Sequence, residues 1–497
     1  MLTLSVTLGA GVGARIALAD PWLAPGDLAM RHDIELLADV GIIHGPVMTW
    51  PMSWPDISRD VLAAGDGPTN NDAVDAALAR VRRAARIAAA PGYSGVELAG
   101  AFAAHPTELR TFADTPRESD EAAAAASWLT DHFAARAQLA VVADPSDKQS
   151  LRLDGSYVGV NVGNIMISAG VMERWWGPGW DGSLILSTNA RPIPTFTVER
   201  NYTEAFKTPW LHWIGAWRGS FSLGKTERNT TARDGILPVR ASVNFMSARL
   251  NFKPRPWLEI ALSRTAQFCG EGRHCTLKTF ENVLLGNDNQ VTATGAISPE
   301  QPGNQLAGYD FRLTSPWKRL PVAAYAQFIG EDEANHLPSK FLGLLGGEFW
   351  GNSRWGSYRL RGEYADSACE FTRSKPQFDC AYRNGLFPQG YTFRGRVIGH
   401  AMDGDGRMYS LAALLVRPSG ESISLLLRKV NLNRGGYVPE NDHALSARPA
   451  QLKNLELQYN RSFPIGQISL GLGFDQVTGT VINSARARAF LQWHQGL

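Results

Sequence analysis

Beyond Pro91, apolar and polar positions alternate along the chain with a period of two, which is the spacing of side chains on the two faces of a β-strand. Segments 244–264 and 453–475 show this alternation on both sides of a short turn, near 253–256 and 462–464 respectively. Long alternating strands joined by short turns are typical of the periplasmic hairpins of an outer-membrane barrel. The pattern therefore predicts a protein that is mainly β, built as a transmembrane antiparallel β-barrel.

The segment 357–364 is the most informative of these strands. Its apolar face is formed by Tyr358, Leu360 and Tyr364, and its opposite face by Arg359, Arg361 and Glu363. The core of a two-sheet sandwich would not accept the charged face, whereas a lipid-facing side and a watery lumen explain both faces. Roughly 400 residues of strand and loop, at about 20 to 25 residues per strand with its connection, predict about 16 to 20 strands.

The region before the strands has a helical period instead. Residues 27–90 contain three segments with apolar positions on one stripe, which predicts three helices. Their expected capping residues are Asp27, Ser53, and Asn71 or Asp72. The arginines of the third helix are expected to form a solvated face toward lipid headgroups or the acidic rim of a barrel. The alanine-rich run at 121–127 lies between strand-like segments, and we expect a loop excursion there.

Composition narrows the class further. The chain has 497 residues, a formal net charge of +2 and 15 Trp. A net charge this close to zero gives no electrostatic footprint for nucleic acid. Past residue 20, no apolar stretch is long enough to cross a membrane as a helix, which excludes a helical membrane protein and leaves a barrel open.

The N-terminus predicts export. Residues 1–19 have an apolar body and end in Ala17-Leu18-Ala19, the pattern of a secretory signal peptide cleaved before Asp20. The alternative is a buried N-terminal helix, which three glycines within the first 14 residues disfavour. We therefore expect residues 20–91 to form a periplasmic helical bundle, and residues 92–497 to form a barrel with extracellular loops in the bacterial outer membrane.

Cysteine usage agrees with export. Cys269 and Cys275 enclose a short polar loop, as do Cys369 and Cys380, which predicts two local disulfides in an oxidising compartment. The alternative is a zinc site with His274 as third ligand, but the cysteine spacing does not fit structural zinc. We expect no metal and no cofactor.

Three runs of the sequence resemble the Wzi family of capsule-assembly proteins. They are WWGPGWDGSLILSTNARPIPTFTVER at 175–200, GGEFWGNSRWGSYRLRGEYADSAC at 346–369 and RGRVIGHAMDGDGRMYSL at 394–411. The opening DLAMRHDIELLADVGIIHGPVMTWPMSW at 27–54 resembles the helical part of that family. The resemblance implies an outer-membrane barrel of about 18 strands with an N-terminal periplasmic bundle. It also implies a surface lectin that retains newly exported capsular polysaccharide or exopolysaccharide on the cell.

The first candidate group for polysaccharide binding lies within the 175–200 run. It consists of Trp175, Trp176, Trp180, Asp181, Asn189 and Arg191. Indole rings suit the apolar CH faces of sugars, and the polar side chains suit hydroxyl or carboxylate groups. The alternative is that the tryptophans form a girdle or lock an inward-folded loop, while the polar groups hold the lumen rigid.

The second candidate group is Arg354, Trp355, Arg359, Arg361 and Glu363. Arginine meets a carboxylate at two points, which suits the uronic acids or pyruvate groups of an acidic polymer. The alternative is an internal Arg–Glu network that plugs the pore, and one residue is able to serve both roles.

Other readings of the sequence remain as alternatives. Residues 403–406 resemble the opening of a calcium loop, although a turn between strands explains two Asp and two Gly more simply. His400, Asp403 and Ser410 supply the residue types of a hydrolytic triad, without a G-x-S-x-G motif. We predict a non-catalytic lectin in contact with outer-membrane lipid. A diffusion channel, an outer-membrane hydrolase and a scaffold for the polysaccharide export machinery are the alternatives.

Overall fold

The computed structural model describes most of the chain. It covers residues 20–65, 67–88, 94–227, 242–270, 275–286, 303–317, 319–334, 337–384, 387, 390–436, 445–479 and 483–496. The predicted signal peptide at 1–19 and the predicted domain boundary at 91–92 lie outside these residues. Within the described ranges, no helix combines the length and the apolar character that a membrane span requires.

The three predicted helices are present in the N-terminal region. Its elements are β1 (Trp22–Leu23), α1 (Leu28–Asp39), β2 (Thr49–Trp50), β3 (Met52–Ser53), α2 (Trp54–Ala63) and α3 (Asp72–Ala88). Asp27 caps α1 by accepting hydrogen bonds from the backbone N–H groups of Ala29 and Met30, at 2.8 and 3.0 Å. The Asn71 side chain caps α3 by accepting from Ala73 N at 3.1 Å. Each cap satisfies backbone donors that a helix leaves free at its start.

The remaining elements are mostly strands. The first half contains β4 (Ser94–Ala104), β5 (Asp120–Leu129), β6 (Phe133–Ala143), β7 (Leu151–Arg152), β8 (Tyr157–Val162), β9 (Ile165–Gly170), β10 (Trp175–Trp176), β11 (Thr195–Arg200), a 3₁₀ turn (His212–Ile214), β12 (Ala216–Lys225), β13 (Asn244–Arg255) and β14 (Leu258–Phe268). The second half contains α4 (Leu277–Leu285), β15 (Gln305–Thr314), β16 (Val322–Ala334), β17 (Leu337–Ser353), β18 (Gly356–Asp366), β19 (Thr392–Phe393), β20 (Arg396–Val397), β21 (Arg407–Val416), β22 (Ser422–Leu432), β23 (Ala450–Phe463), β24 (Gly466–Gly479) and β25 (Asn483–Gly496).

A closed antiparallel barrel of 18 strands forms the body of the protein, which confirms the predicted fold class. Neighbours along the chain pair with each other, and β18 pairs directly with β21 across the segment 367–406. The ring closes where β25 pairs with β4, from Ala489 opposite Ala104 to Gly496 opposite Glu97. The two-residue β7 adds a short pairing at the end of β6.

The two faces of the strands differ as the alternation predicted. In β18, Arg359, Arg361 and Glu363 are buried in the lumen, whereas Leu360 is 47% exposed on the outer face. Other large apolar side chains exposed on the outer face include Phe102, Leu139, Leu262, Leu411, Leu427, Leu472 and Leu491. An apolar outer belt around a polar interior is the arrangement that a lipid bilayer requires.

One prediction about the strands was wrong. Residues 121–127 belong to β5 and do not form a loop excursion. Alanine offers no apolar–polar contrast between two faces, so the period that marks the other strands is absent there. The register of β5 is set instead by its ladders with β4 and β6. It turns Ala123 toward the lumen and Ala124 toward the outside.

The barrel has two different ends. At the short-turn end, where β4 begins and β25 ends, strands are joined by connections such as 256–257, 354–355 and 464–465. The long-loop end carries much longer segments, among them 105–119, 171–194 and 367–406. Both predicted disulfides, Cys269–Cys275 and Cys369–Cys380, lie at this end and are confirmed, so these sulfurs are not zinc ligands.

Candidate functional site

The lumen is filled from both ends. The segment that contains β2 enters from the short-turn end, and the segment 171–194 folds inward from the long-loop end. They meet as a small antiparallel ladder in which Trp175 lies opposite Trp50 and Trp176 opposite Thr49. Beside it, Gly177 N donates to Met48 O at 3.1 Å. Two parts of the chain that are distant in sequence are therefore hydrogen-bonded inside the barrel. We give the name plug to the parts of the chain that occupy the lumen, which are residues 20–65, 67–88, 105–119 and 171–194.

An aromatic cluster forms the centre of the plug. The ring of Phe112 lies 5.0 Å from Trp50, 5.5 Å from Trp175 and 6.3 Å from Trp180 between ring centroids. Trp175, Trp176 and Trp180 are at most 1% exposed. Their rings contact other protein side chains and have almost no exposed surface. This favours the interpretation that the tryptophans hold an inward-folded loop in place.

Arg31 of α1 ties the helices to the inward segment. Its guanidinium donates to the backbone carbonyls of Gly179 and Pro178 at 2.9 and 2.7 Å, and to Glu35 at 2.8 Å. The guanidinium also lies 4.2 Å from the ring centroid of Trp180. A buried arginine that is paired, hydrogen-bonded and stacked in this way is well compensated for its lost hydration.

The barrel wall binds the inward segment through the second candidate group. Glu363 accepts hydrogen bonds from the backbone N–H groups of Trp180 and Asp181, at 2.6 and 3.1 Å. Asp181 in turn accepts from Arg361 at 3.2 Å and from Ser410 at 2.6 Å. Carboxylates and an arginine on the strands thereby hold the part of the segment around Trp180 and Asp181, which belongs to no strand.

The wall also binds α1 through a buried network of charges. Arg359 bridges Glu35 of α1 and Glu348 of β17, at 3.1 and 2.6 Å. Arg312 bridges the same Glu348, at 2.8 Å, and Asp39 at 2.6 Å. The Arg–Glu network considered from the sequence is therefore present, and it fastens the helix to the wall.

His32 belongs to this network in its neutral form. Burial and the positive charges of Arg359 and Arg80 lower the pKa of His32 well below its ordinary value. Its Nδ1 accepts a hydrogen bond from Arg359 at 3.1 Å, so Nε2 carries the proton and faces the hydroxyl of Ser357, also at 3.1 Å.

The other members of the first candidate group lie nearer the long-loop end. Asn189 is buried and donates to Val397 O at 2.8 Å. Arg191 binds Asp154 through two hydrogen bonds of 2.7 Å and Asp147 through one of 2.5 Å. Arg191 therefore joins the segment 171–194 to the neighbouring loop 144–156.

Arg354 and Trp355 stand apart from all these residues. They form the turn between β17 and β18 at the short-turn end, where Trp355 is 55% exposed and Arg354 lies 4.4 Å from its ring centroid. The residues predicted to bind polysaccharide therefore lie in three places: in the buried plug and on the wall around it, near the long-loop end, and in a turn at the short-turn end. They do not converge on one pocket.

The residues of the hydrolytic alternative do not assemble a triad. Ser410 donates to Asp181, and Nδ1 of His400 accepts from Met402 N at 3.2 Å. The Nε2 atom of His400 has no hydrogen-bond partner among the described residues, so the Ser–His link is absent. Burial and the charge of Arg428 lower the pKa of His400 to about 3, which leaves it a poor base.

The calcium alternative has no support in the geometry. The described part of the chain contains no group of three His, Cys, Asp or Glu side chains suited to a metal ion. Asp403 and Asp405 instead take positive φ values, 61° and 60°, in a turn before β21. Asp tolerates this conformation, which explains the two acidic residues structurally.

Two parts of the site were not predictable from the residues themselves. The first is the segment 105–119 with Phe112, which carries no motif. The second is the disulfide-closed loop between Cys369 and Cys380, which carries Arg373 and Lys375 outward at the long-loop end. The paired cysteines indicate a polar loop closed by a disulfide, but the sequence alone does not show that its cations are exposed.

The closed barrel, its apolar outer belt and its filled lumen define a plugged β-barrel of the outer-membrane type. The family model of capsule assembly protein Wzi matches residues 107–487. The chain therefore belongs to the Wzi family of capsule assembly proteins, and it is an outer-membrane protein.

Two relatives show how far the likeness extends. A protein of Klebsiella pneumoniae, described as an uncharacterized 55.8 kDa protein in the cps region, is 29% identical over 443 residues, which is 86% of this chain and 81% of that protein. The solved structure of Wzi from Escherichia coli, described as a carbohydrate-binding β-barrel involved in group 1 capsule assembly, has a TM-score of 0.80 and 24% identity. The match covers 95% of this chain and 98% of that one, and it establishes the shared fold.

Proposed function

We propose that this protein is a non-catalytic lectin that binds an exported capsular polysaccharide or exopolysaccharide and holds it on the cell surface. The observation that carries the proposal is the filled lumen, in which α1 and the segment 171–194 are bonded to each other and to the wall. A barrel whose lumen is occupied in this way is poorly suited to the diffusion of solutes. Its loop surface remains available for binding a polymer. Membership of a capsule-assembly family and the carbohydrate binding described for the Escherichia coli relative support the same function.

The orientation of the barrel supports a surface role. Outer-membrane barrels have short turns on the periplasmic side and longer loops outside. We accordingly assign the short-turn end, with the helices 28–88 in its mouth, to the periplasm. The long-loop end then faces the exterior, where an exported polymer is met. Under this assignment Arg354 and Trp355 are periplasmic and do not contact the exported polymer.

The polymer contacts are proposed for the long-loop surface. Arg373 is 68% exposed there, and Lys375 is exposed on the same disulfide-closed loop. Both are suited to the carboxylates of an acidic polysaccharide. The buried tryptophans, with Asp181, Asn189 and Glu363, serve by holding the loops in place, and Arg191 fixes the loop 144–156. Each sugar contact is weak because it replaces a contact with water, so retention depends on many repeats engaging many copies.

The test is binding of the purified, detergent-folded protein to the surface polysaccharide extracted from its host, measured by co-sedimentation. We expect saturable binding that falls at least several-fold in the double variant Arg373→Ala/Lys375→Ala. Arg354→Ala is the matched control, because it removes an exposed arginine from the opposite end and should bind as the unaltered protein does. Absence of binding to any acidic polymer at high protein density would rule out the lectin.

A further inference from the structure

The plug leaves a cavity on one side of the lumen. A cavity of about 400 Å³ lies against the wall formed by β25, β4, β5 and β6. It extends from Asp20 and His494, toward the short-turn end, to Glu121 and Asp154, at the long-loop end. This volume falls within the range of about 300 to 1,000 Å³ that is usual for small-molecule sites.

The cavity follows from the choice of wall residues and from where the plug is fastened. The wall presents small side chains to the cavity, namely Ala99, Ala101, Ala123, Ala125 and Ala140. The ion pairs that anchor α1 fall on β15, β17 and β18, which lie across the ring from this wall. The plug is therefore held against one side of the barrel, and the opposite wall lacks the bulk to fill the remaining space.

The polar lining includes groups that have no hydrogen-bond partner among the residues that the structure describes. The side chain of Gln492 lines the cavity and is 6% exposed, and its amide makes no hydrogen bond to the described residues. The carboxylate of Glu121 also lines the cavity, and it has no hydrogen bond or ion pair within the described part of the chain. An amide both donates and accepts, so the Gln492 side chain offers hydrogen bonds in both directions to a ligand in the cavity.

The remaining lining contains both charges and aromatic surface. Arg117 and Arg136 face the cavity. Arg117 pairs with Glu173 at 2.7 Å, and Arg136 pairs with Glu97 at 2.6 Å. Trp22 and Tyr157, which pack edge to face at 4.8 Å, supply an apolar patch. Neutral amide, paired ions and aromatic rings together suit a ligand with many hydroxyl groups and apolar CH faces.

We propose that this cavity binds the terminal sugar of the polysaccharide, so that the polymer is recognised by its end as well as along its length. The inference rests on the proposed lectin function and sharpens it. The CH face of the terminal residue would lie toward Trp22 and Tyr157. Hydroxyl groups of the next residue would take the free hydrogen-bonding capacity of Gln492 and Glu121, because Tyr157 lies opposite Arg136, six residues along β6 from Val142, the partner of Glu121. The terminal residue is expected to be uncharged, because arginines and carboxylates line the cavity together.

The experiment uses two substitutions on neighbouring residues of one strand. Ala123→Phe fills the cavity, whereas Ala124→Phe places the same ring on the outer face of β5 in the lipid belt. A third variant, Gln492→Met, keeps the volume of the side chain and removes its hydrogen bonding, so it does not disturb packing. Binding of short oligosaccharides, prepared by partial hydrolysis of the host's surface polysaccharide, is measured by titration calorimetry on folded, full-length protein.

The expected result is at least a tenfold loss of oligosaccharide affinity in Ala123→Phe and a several-fold loss in Gln492→Met, with Ala124→Phe unchanged. Equal oligosaccharide affinity in all three variants would overturn the cavity site, while polymer binding by the loops would still stand. If the unaltered protein binds neither the fragments nor the intact polymer, the lectin function itself fails and the cavity proposal fails with it.

Discussion

Arg31 lies over the face of Trp180, with the guanidinium carbon 4.2 Å from the ring centroid. Arg31 belongs to the helix that enters the short-turn end, and Trp180 belongs to the segment that enters from the long-loop end. Their contact therefore joins the two halves of the plug at the middle of the lumen. Because the same guanidinium also binds two backbone carbonyls and Glu35, this one side chain stabilises a large share of the junction.

Replacing Arg31 with Gln should loosen the plug. Glu35 would lose one buried partner and two carbonyls would lose their donors, so we expect a loss of about 3 to 5 kcal/mol in the stability of the plug. Planar-bilayer recordings should then show current steps that the unaltered protein lacks. Arg83→Gln, on the exposed face of α3, is the control and should leave the membrane sealed. Identical recordings from both variants would contradict the role given to Arg31.

The unaltered protein should pass little current. The buried ion pairs that bind the wall to α1, such as Arg359 with Glu35, are not easily broken by an applied potential. Single-channel recordings at neutral pH are the measurement, and a known diffusion porin reconstituted in the same lipid is the reference. Large, stable, porin-like steps would show that the cavity beside β5 is a conducting path and would favour a channel.

Truncating Trp180 should affect stability before it affects binding. Trp180 is 1% exposed within the aromatic cluster, so Trp180→Ala should cost about 3 to 5 kcal/mol. Trp355, which is 55% exposed at a short turn, should tolerate the same change within about 0.5 kcal/mol. Urea unfolding of the Trp180→Ala and Trp355→Ala variants, monitored on gels by the loss of the compact folded form, measures both effects. A Trp180→Ala protein of normal stability that no longer binds polysaccharide would instead identify Trp180 as a direct sugar contact.

Acid should release the loop 144–156 from the segment 171–194. Burial disfavours the charged form of Asp147, but hydrogen bonds from Arg191 and from Gln149 N, with the charges of Arg152 and Arg191, outweigh it and lower the pKa of Asp147. A lowered pKa means that the contribution of Asp147 to stability is complete above its ordinary pKa of about 4 and is lost as the pH falls through the lower folded value.

Hydrogen exchange of residues 144–156, corrected for intrinsic rates, would measure this release. Protection should hold from neutral pH down to about pH 4 and decline below it. Asp147→Asn removes the titrating group and should show weaker protection that does not change over the same interval. A transition centred near neutral pH in the unaltered protein would show that another group controls the loop.

Local patterns in the sequence were sufficient for the barrel strands. In β18 the alternation of Arg359, Leu360 and Arg361 encodes which side meets lipid, because each residue's environment is set by its own place in a strand. The caps of α1 and α3 were equally local, since a capping side chain bonds to a backbone group two or three residues away. In β5, five consecutive alanines carry no such contrast, and the prediction failed there.

The plug was not predictable in the same way. Arg31 and Gly179 are 148 residues apart, and nothing in the neighbourhood of either residue indicates the other. The tryptophans of 175–180 stand out in the sequence, but an indole that stacks on sugar and one that packs against Phe112 have the same sequence signature. The position of these indole rings depends on how far the segment 171–194 folds into the lumen. That depth is set by the closed barrel as a whole, so no local sequence pattern encodes it.

Closure of the ring by β25 on β4 has a consequence for the plug. The ladder between β2 and β10 lies inside that ring, so the two segments that form it are encircled once the last strand has paired with the first. Because the two segments come from opposite ends and are bonded to each other at the middle, neither half of the plug can leave without breaking the ladder between them.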